Sequence, residues 1–382
     1  MYNLLIILII SVFTGVAGAQ DRGDIMLTIN HFVPHVSSVP ANAGQTVGIY
    51  VREKALTSVV RAAQAKKPAP VLLFVHGATV PSVPDFDLDY KGYSWMAYLA
   101  RAGFRVYAMD LTGYGGSPRP MMDDPSNVNP KQQQIIIPRP LKGPAAPNYP
   151  YELNTIRSDW DEIDTVVDHL RKANGVRKVS ILGWSAGGPR VGGYATQHSD
   201  KVERLILYAP SPTIPDLQIP EQPAAGHPVN LQTREDFEKK RWDPDVRCPG
   251  QLEPGVRDVL WRAIMQWDRV GETWGPEEGV MRARVATRFG WTRQLAARVR
   301  APTLVMVGEF DRLEERRTVY EQLGSKDKVF LTVSCGSHFM LWEKQYVALH
   351  LASKEWFTQG RLLKLRRGEI RVDRNGEFDA LQ

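Results

Sequence analysis

Ser185 stands in Gly183-Trp184-Ser185-Ala186-Gly187-Gly188, directly after the apolar run Val179-Ser180-Ile181-Leu182. A serine hydroxyl attacks a carbonyl carbon only when it is held exposed on a constrained backbone, beside a base and beside donors for the developing oxyanion. Glycines two before and two after the serine remove side chains that would collide where a strand turns sharply into a helix, and they tolerate φ angles closed to other residues. With 31 glycines in 382 residues, the five-residue pattern is weak evidence by itself. Its surroundings strengthen it. Pro189 to Gln197 reads as a helix in which Gly192, Gly193 and Ala195 permit close packing, and Val202 to Tyr208 reads as the next buried strand.

A serine used in this way needs a base for its proton and an acid that holds the base in the right tautomer. His338 lies in Gly336-Ser337-His338, just after the strand-like run Lys328 to Val333. Asp311 lies in Gly308-Glu309-Phe310-Asp311, just after Ala301 to Val307. Glu309 follows the same strand and stands as the alternative acid. In a doubly wound sheet the carboxyl ends of such strands converge on one crevice.

The elements that must position these residues follow in order. Ile25 to Ile29 and Thr46 to Val51 predict an antiparallel opening hairpin. Pro70 to Val75 is a continuous apolar run, as expected of a strand covered on both faces, and it ends in His76-Gly77-Ala78-Thr79. The His76 ring is expected to organise this turn. Trp95 to Ala102 predicts a helix stopped by Gly103, and Phe104 to Met109 another buried strand. The loop Asp110 to Ser117 is glycine-rich, but it lacks the G-x-x-x-x-G-K-[ST] form and no helix follows at once, so it reads as a structural turn rather than a phosphate cradle. Prolines fill 118–150, a long loop of the kind that is functional or mobile. Thr155 to Lys172 carries Ile156, Trp160, Ile163, Val166, Val167 and Leu170 at helical spacing, and Asn174-Gly175 ends it.

The pattern predicts an α/β fold with a doubly wound, mostly parallel sheet and a helical cap between the sixth and seventh strands. Residues 20–210 form the first part of the core, 211–300 the cap, 301–358 the second part and 359–382 a tail. The cap is rich in tryptophan (Trp242, Trp261, Trp267, Trp274, Trp291) and arginine (Arg257, Arg262, Arg269, Arg282, Arg284, Arg288). The tryptophans are either core or a substrate wall. The arginines are expected on solvated faces, with one or two available to bind a substrate carboxylate. In the tail, Asn375-Gly376 suggests a type I′ turn between two short strands.

The order Ser185, Asp311, His338, the His76-Gly77 turn and the G-x-S-x-G turn together resemble the α/β-hydrolase family. The resemblance runs from about Ile25 to Phe357, with the inserted block where many members carry a cap. It implies Ser185 as the nucleophile, His338 as general base and then acid, and Asp311 as the orienting carboxylate. It also implies an oxyanion hole from the N–H groups of Ala186 and Ala78, with Thr79 an alternative to Ala78. A serine at 185 separates the chain from the related haloalkane dehalogenases and epoxide hydrolases, which attack through a carboxylate. The expected activity is hydrolysis of a carboxylic ester, or of a lactone or amide, through an acyl-serine, with no metal or organic cofactor. Carbon–carbon bond hydrolysis or perhydrolysis is the runner-up on the same fold. Non-catalytic binding relatives typically lose the nucleophile or the base; here both stand in place, and a protein whose crevice mainly binds is kept as a further alternative.

Leu4 to Val16 is almost wholly apolar and is followed by Ala17-Gly18-Ala19 and then Gln20-Asp21-Arg22, which predicts a secretory signal peptide over 1–19 and a secreted or periplasmic protein. The lack of Lys or Arg before it leaves a retained anchor as the alternative. No other stretch is apolar enough to span a bilayer, so no stable membrane insertion is expected after cleavage. The net charge of +6 comes from Lys and Arg interspersed with Asp and Glu, which gives no basic stripe for nucleic acid. The expected partner is a small apolar or aromatic ester; oligomeric state is left open. The two cysteines, Cys248 and Cys335, lack zinc-site spacing. A bridge between them would tie cap to core beside His338, and the sequence alone does not decide whether it forms.

Overall fold

The computed structural model describes residues 23–64, 68–214, 219, 221–276, 278–285 and 290–381. The expected signal peptide and Arg288 lie outside them. Among the described residues no helix is long and apolar enough to cross a membrane.

Twelve strands are described: β1 (Met26–Val36), β2 (Thr46–Leu56), β3 (Val71–Val75), β4 (Arg105–Met109), β5 (Val179–Trp184), β6 (Val202–Tyr208), β7 (Val229–Thr233), β8 (Val280–Arg284), β9 (Thr303–Gly308), β10 (Lys328–Val333), β11 (Gly368–Val372) and β12 (Phe378–Leu381). Ten of them form one sheet in the order β1-β2-β4-β3-β5-β6-β9-β10-β11-β12. From β4 to β11 every pairing is parallel. The opening hairpin β1–β2, its junction with β4 and the closing pair β11–β12 are antiparallel. This is the expected doubly wound, mostly parallel sheet.

The continuous apolar strands are explained by burial on both faces. Leu72, Phe74, Leu182, Trp184, Ile206 and Leu304 pack into one core, while Val71, Leu73, Val75, Ile181, Leu205 and Val305 pack into the other. The two-residue period of a strand sends neighbours to opposite sides, so an alternating polar residue would be buried in either layer. The Ile156–Asn174 helix covers the second face. Thr155 accepts the Ser158 N–H in a reciprocal capping box, and Gly175 ends the helix at φ 63°.

The tail is not an appendage, because β11 adds to β10 and extends the sheet. Its turn also differs from the expected type I′. Gly376 has φ 88° and donates to the Asp373 carbonyl, Asp373 donates to Glu377, and Asn375 is not in the left-handed region. The Asp373 carboxylate accepts from the Asn375 and Glu377 N–H groups, and this stabilises the longer turn.

Between β6 and β9 the chain is not purely helical. β7 and β8 form a separate two-stranded antiparallel sheet beside helices such as Val256–Gln266. The 118–150 loop folds onto this sheet: Asn129 donates to the Val229 carbonyl, and Met122, Val128 and Ile136 share a third apolar cluster with Val229, Leu231, Trp274 and Val280. The loop is therefore ordered by the inserted block. Cys248 of that block and Cys335 of the core form a disulfide, with Cα atoms 5.8 Å apart.

Candidate active site

The strand order reverses at β3, which pairs with β4 on one side and β5 on the other. Their carboxyl ends carry His76-Gly77-Ala78 and Ser185, the position where a doubly wound sheet opens a crevice. Ser185 sits at φ 53°, a left-handed conformation costly for a residue with a Cβ. The flanking glycines permit it. A Cβ on Gly183 would lie 2.3 Å from the Gly187 carbonyl oxygen, and one on Gly187 would lie 2.4 Å from the Val75 carbonyl oxygen.

His338 and Asp311 meet across the tips of β10 and β9, with His338 Nδ1 3.0 Å from Asp311 Oδ1. A carboxylate can only accept, so the proton sits on Nδ1 and Nε2 is left as the basic nitrogen. Burial pushes the Asp311 carboxyl up, but the neighbouring His338 and then Arg316 outweigh it and hold the group below the ordinary carboxylate value. Glu309 serves elsewhere: it accepts the Cys335 N–H at 2.9 Å and pairs with Arg371. The His338 carbonyl accepts from Tyr208 Oη at 2.9 Å and Trp184 Nε1 at 3.3 Å, which ties the histidine loop to the strand ends.

His76 is fully buried. Its Nε2 accepts the Leu111 N–H at 3.1 Å, so its Nδ1 donates to the Gly77 carbonyl at 2.8 Å. Burial, with Arg190 adding to it, pushes its pKa well down and keeps it neutral. It organises the turn, as expected. The Ala78 carbonyl accepts from Tyr114 Oη at 2.6 Å, and the Gly77 carbonyl from Arg190 Nη1 at 3.1 Å. These contacts fix the loop from its carbonyl side. No hydrogen bond from the Ala78 or Ala186 N–H is described.

The glycine-rich loop after β4 is a structural turn. Buried Asp110 accepts the Ser82 N–H at 2.7 Å and the Gly116 N–H at 2.9 Å, and a Cβ on Gly115 would overlap its carboxylate.

Ser185, His338 and Asp311 open onto one cavity of about 760 Å³. The tryptophans of the inserted block do not line it: Trp242, Trp261, Trp274 and Trp291 are buried in the cores, and Trp267 packs against Tyr50. Trp242 joins Phe237, Phe339 and Trp342 in an aromatic cluster under the histidine loop. The expected solvated arginines also divide. Arg282 and Arg284 are buried, Arg282 on Asp268 at 2.6 Å and Arg284 on Asp159 at 2.7 Å.

Three contributors were not legible in the sequence. Arg190 bridges Asp159, at 2.8 Å, and the Gly77 carbonyl. Its signal is a charge among the small residues of a buried helix face. Arg316 reaches Asp311, and Glu343 accepts from Ser337 N and Trp242 Nε1 beneath the histidine loop. Neither has a motif. Among the described residues no cluster of His, Cys, Asp and Glu could hold a metal ion.

The model of the alpha/beta hydrolase family matches residues 72–349. The fold is similar to that of a thermophilic esterase from Thermogutta terrifontis, with 16% identity over 86% of this chain and 98% of that one at a TM-score of 0.51. It is similar also to a serine hydrolase from the polyaromatic hydrocarbon-degrading bacterium Cycloclasticus zankles, with 15% identity over 87% and 98% of the two chains at a TM-score of 0.50. A serine hydrolase involved in carbazole degradation gives 18% identity over 87% and 99% at a TM-score of 0.50. At these identities the likeness is one of fold. No curated protein matches the chain in sequence.

Proposed function

The chain belongs to the alpha/beta hydrolase family, and from that premise we propose that it is a serine hydrolase that cleaves a carboxylic ester through an acyl-Ser185 intermediate. The observation that carries this reading is the conjunction of Ser185 at φ 53° with a His338–Asp311 pair at 3.0 Å on the same cavity. His338 Nε2 takes the Ser185 proton as Oγ attacks the carbonyl carbon. Asp311 stabilises the imidazolium that forms, and the Ala78 and Ala186 N–H groups receive the oxyanion. His338 then protonates the leaving alcohol, and a water activated by the same nitrogen releases the acid and restores Ser185. Lactones and amides follow the same route.

Two further expectations belong to this reading. The block 211–300, with the 118–150 loop on it, acts as a cap, because it supplies Lys240, Arg241 and Arg247 to the cavity wall. The protein is exported: the apolar run ahead of Ala17-Gly18-Ala19 supports this, and a Cys248–Cys335 bridge is the chemistry of an oxidising compartment.

The test is labelling with a fluorophosphonate probe, with the adduct located by peptide mass spectrometry, beside turnover of a panel of activated esters. An adduct on Ser185 and hydrolysis that both vanish in Ser185→Ala are expected. A folded protein that neither labels nor turns over any ester overturns the reading, and turnover of vinylogous diketones without esters would move it to carbon–carbon hydrolysis.

A further inference from the structure

The walls of the catalytic cavity are charged rather than apolar. Lys240, Arg241, Arg247, Arg312 and Arg316 face it, against the carboxylates Asp245, Glu309 and Asp311. Each carboxylate is already committed. Asp311 takes His338 and Arg316, Asp245 takes Arg247 at 2.9 Å, and Glu309 takes the Cys335 N–H and Arg371. Of the remaining cations, Lys240 is satisfied by Asp236, one helical turn back, and Arg312 is largely exposed with Glu315 at 3.8 Å.

Arg241 is different. No carboxylate lies within ion-pair distance of it among the described residues; Nη1 donates to the neutral Gln232 Oε1 at 3.0 Å. Its guanidinium lies 5.7 Å from the centre of the Phe339 ring, and beyond the Gln232 contact no other hydrogen bond from it is described. Arg241 is exposed, on the wall of the open cavity, and the protein packed around its guanidinium lowers its pKa by desolvation. The residue sits on the π-helical segment Asp236–Trp242, held down by the buried Trp242 through its bond to Glu343 at 2.9 Å. Wide helical turns of this kind recur where a side chain must be aimed at a site.

We propose that the ester this enzyme cleaves carries an anionic group, a carboxylate or a phosphate, bound by Arg241. The proposal rests on the serine-hydrolase reading for what happens at the other end of the substrate. Phe339 directly follows His338, so an anion on Arg241 orients the rest of the molecule toward the base and Ser185. A guanidinium suits a planar carboxylate or a phosphate better than an ammonium would, because two parallel N–H groups meet two oxygens. The net cation excess of the cavity draws the same group in from solution. The expected apolar or aromatic ester gives way here to one with a charged end.

The experiment uses three 4-nitrophenyl esters of equal length: one ending in a carboxylate, one in a phosphonate and one in a neutral methyl ester. Wild type should favour a charged ester over the neutral one by roughly tenfold or more in kcat/KM, mainly through KM, and salt should narrow the gap. Arg241→Gln should collapse that ratio, and Arg241→Lys should restore part of it. Binding is measured separately by calorimetry on Ser185→Ala, which retains the substrate for titration. Hydrolysis without any charge preference, or equal losses on all three esters in Arg241→Gln, overturns the proposal while the serine-hydrolase reading stands. Charge-selective binding that depends on Arg241, with no turnover by the wild type, upholds the anion site and overturns the hydrolase reading. The carboxylate and phosphonate arms identify which anion is preferred.

Discussion

Arg316 Nη2 lies 3.3 Å from Asp311 Oδ1, the same oxygen that accepts from His338 Nδ1 at 3.0 Å. Both Arg316 and Asp311 are buried, so the pair keeps most of its Coulomb attraction. After His338, the guanidinium is the further cause that holds the Asp311 pKa down against burial, and it shares the oxygen that accepts from the histidine. In the proposed mechanism Arg316 is a positioning residue, acting through Asp311.

Replacing Arg316 with Met should lower kcat by roughly 10- to 100-fold, the scale on which misplaced catalytic groups fail. The Asp311 pKa is depressed in the fold, so its contribution to stability is present above the ordinary carboxylate range and is lost as pH falls through the folded value. Without Arg316 that value rises. The acid limb of activity and the acid-unfolding midpoint should both move to higher pH, and Arg316→Lys should reverse part of the shift. An unmoved acid limb would sink the idea.

Asp311 and Glu309 leave the same strand, and only one of them touches His338. Asp311→Asn should cost about 10⁴ in kcat, as expected when an imidazole loses the acceptor that sets its tautomer. Glu309→Gln should change kcat far less, because its carboxylate holds the Cys335 N–H instead. Steady-state rates on one activated ester decide between them; equal losses would reassign the acid.

The Cys248–Cys335 bridge closes a loop of 87 residues and ends three residues before His338. Loop-closure entropy puts its contribution at roughly 4–5 kcal/mol, as an upper value. The Cys248→Ser, Cys335→Ser double variant should therefore show a lowered urea midpoint and a lowered kcat. A midpoint unchanged by reductant in the wild type, with constant free thiols, would show that the bridge is absent.

Glu162 is buried, with one oxygen 2.9 Å from the Thr112 N–H and the other unpartnered. Burial, reinforced by the charge of Asp159, raises its pKa from the ordinary 4.5 to about 7. The folded state thus holds this proton more tightly than the unfolded chain. Stability from this group is complete below the unfolded pKa and is lost as pH rises through about 7. Glu162→Gln should raise the thermal midpoint above that pH and leave it nearly unchanged in mild acid. A midpoint that falls at every pH would mean that the carboxylate is needed charged.

Much of the sheet and the serine were legible from one dimension because their signals are local. An apolar run long enough for a doubly covered strand, glycines where a turn admits no Cβ, and a capping threonine ahead of Ile156 each reflect constraints that act within a few residues. Ser185, His338 and Asp311 stand out as candidates in the same way, since each follows a strand directly and strand ends converge.

The rest depended on groups that meet only after folding. Whether Asp311 or Glu309 faces His338 is a matter of where two loops point. Arg190, Arg282, Arg284 and Arg316 look like solvated charges in the sequence, yet each is buried against an acid brought from elsewhere in the chain or from a neighbouring turn. The cavity's charged wall and the burial of the tryptophans were equally hidden. The sequence by itself determined the layered sheet and the serine turn; the tertiary structure decided which charges meet across the fold and set Arg241 on the cavity wall beside Gln232 and Phe339. The reason is physical: backbone sterics and apolar periodicity act along the chain, whereas charge compensation acts through space.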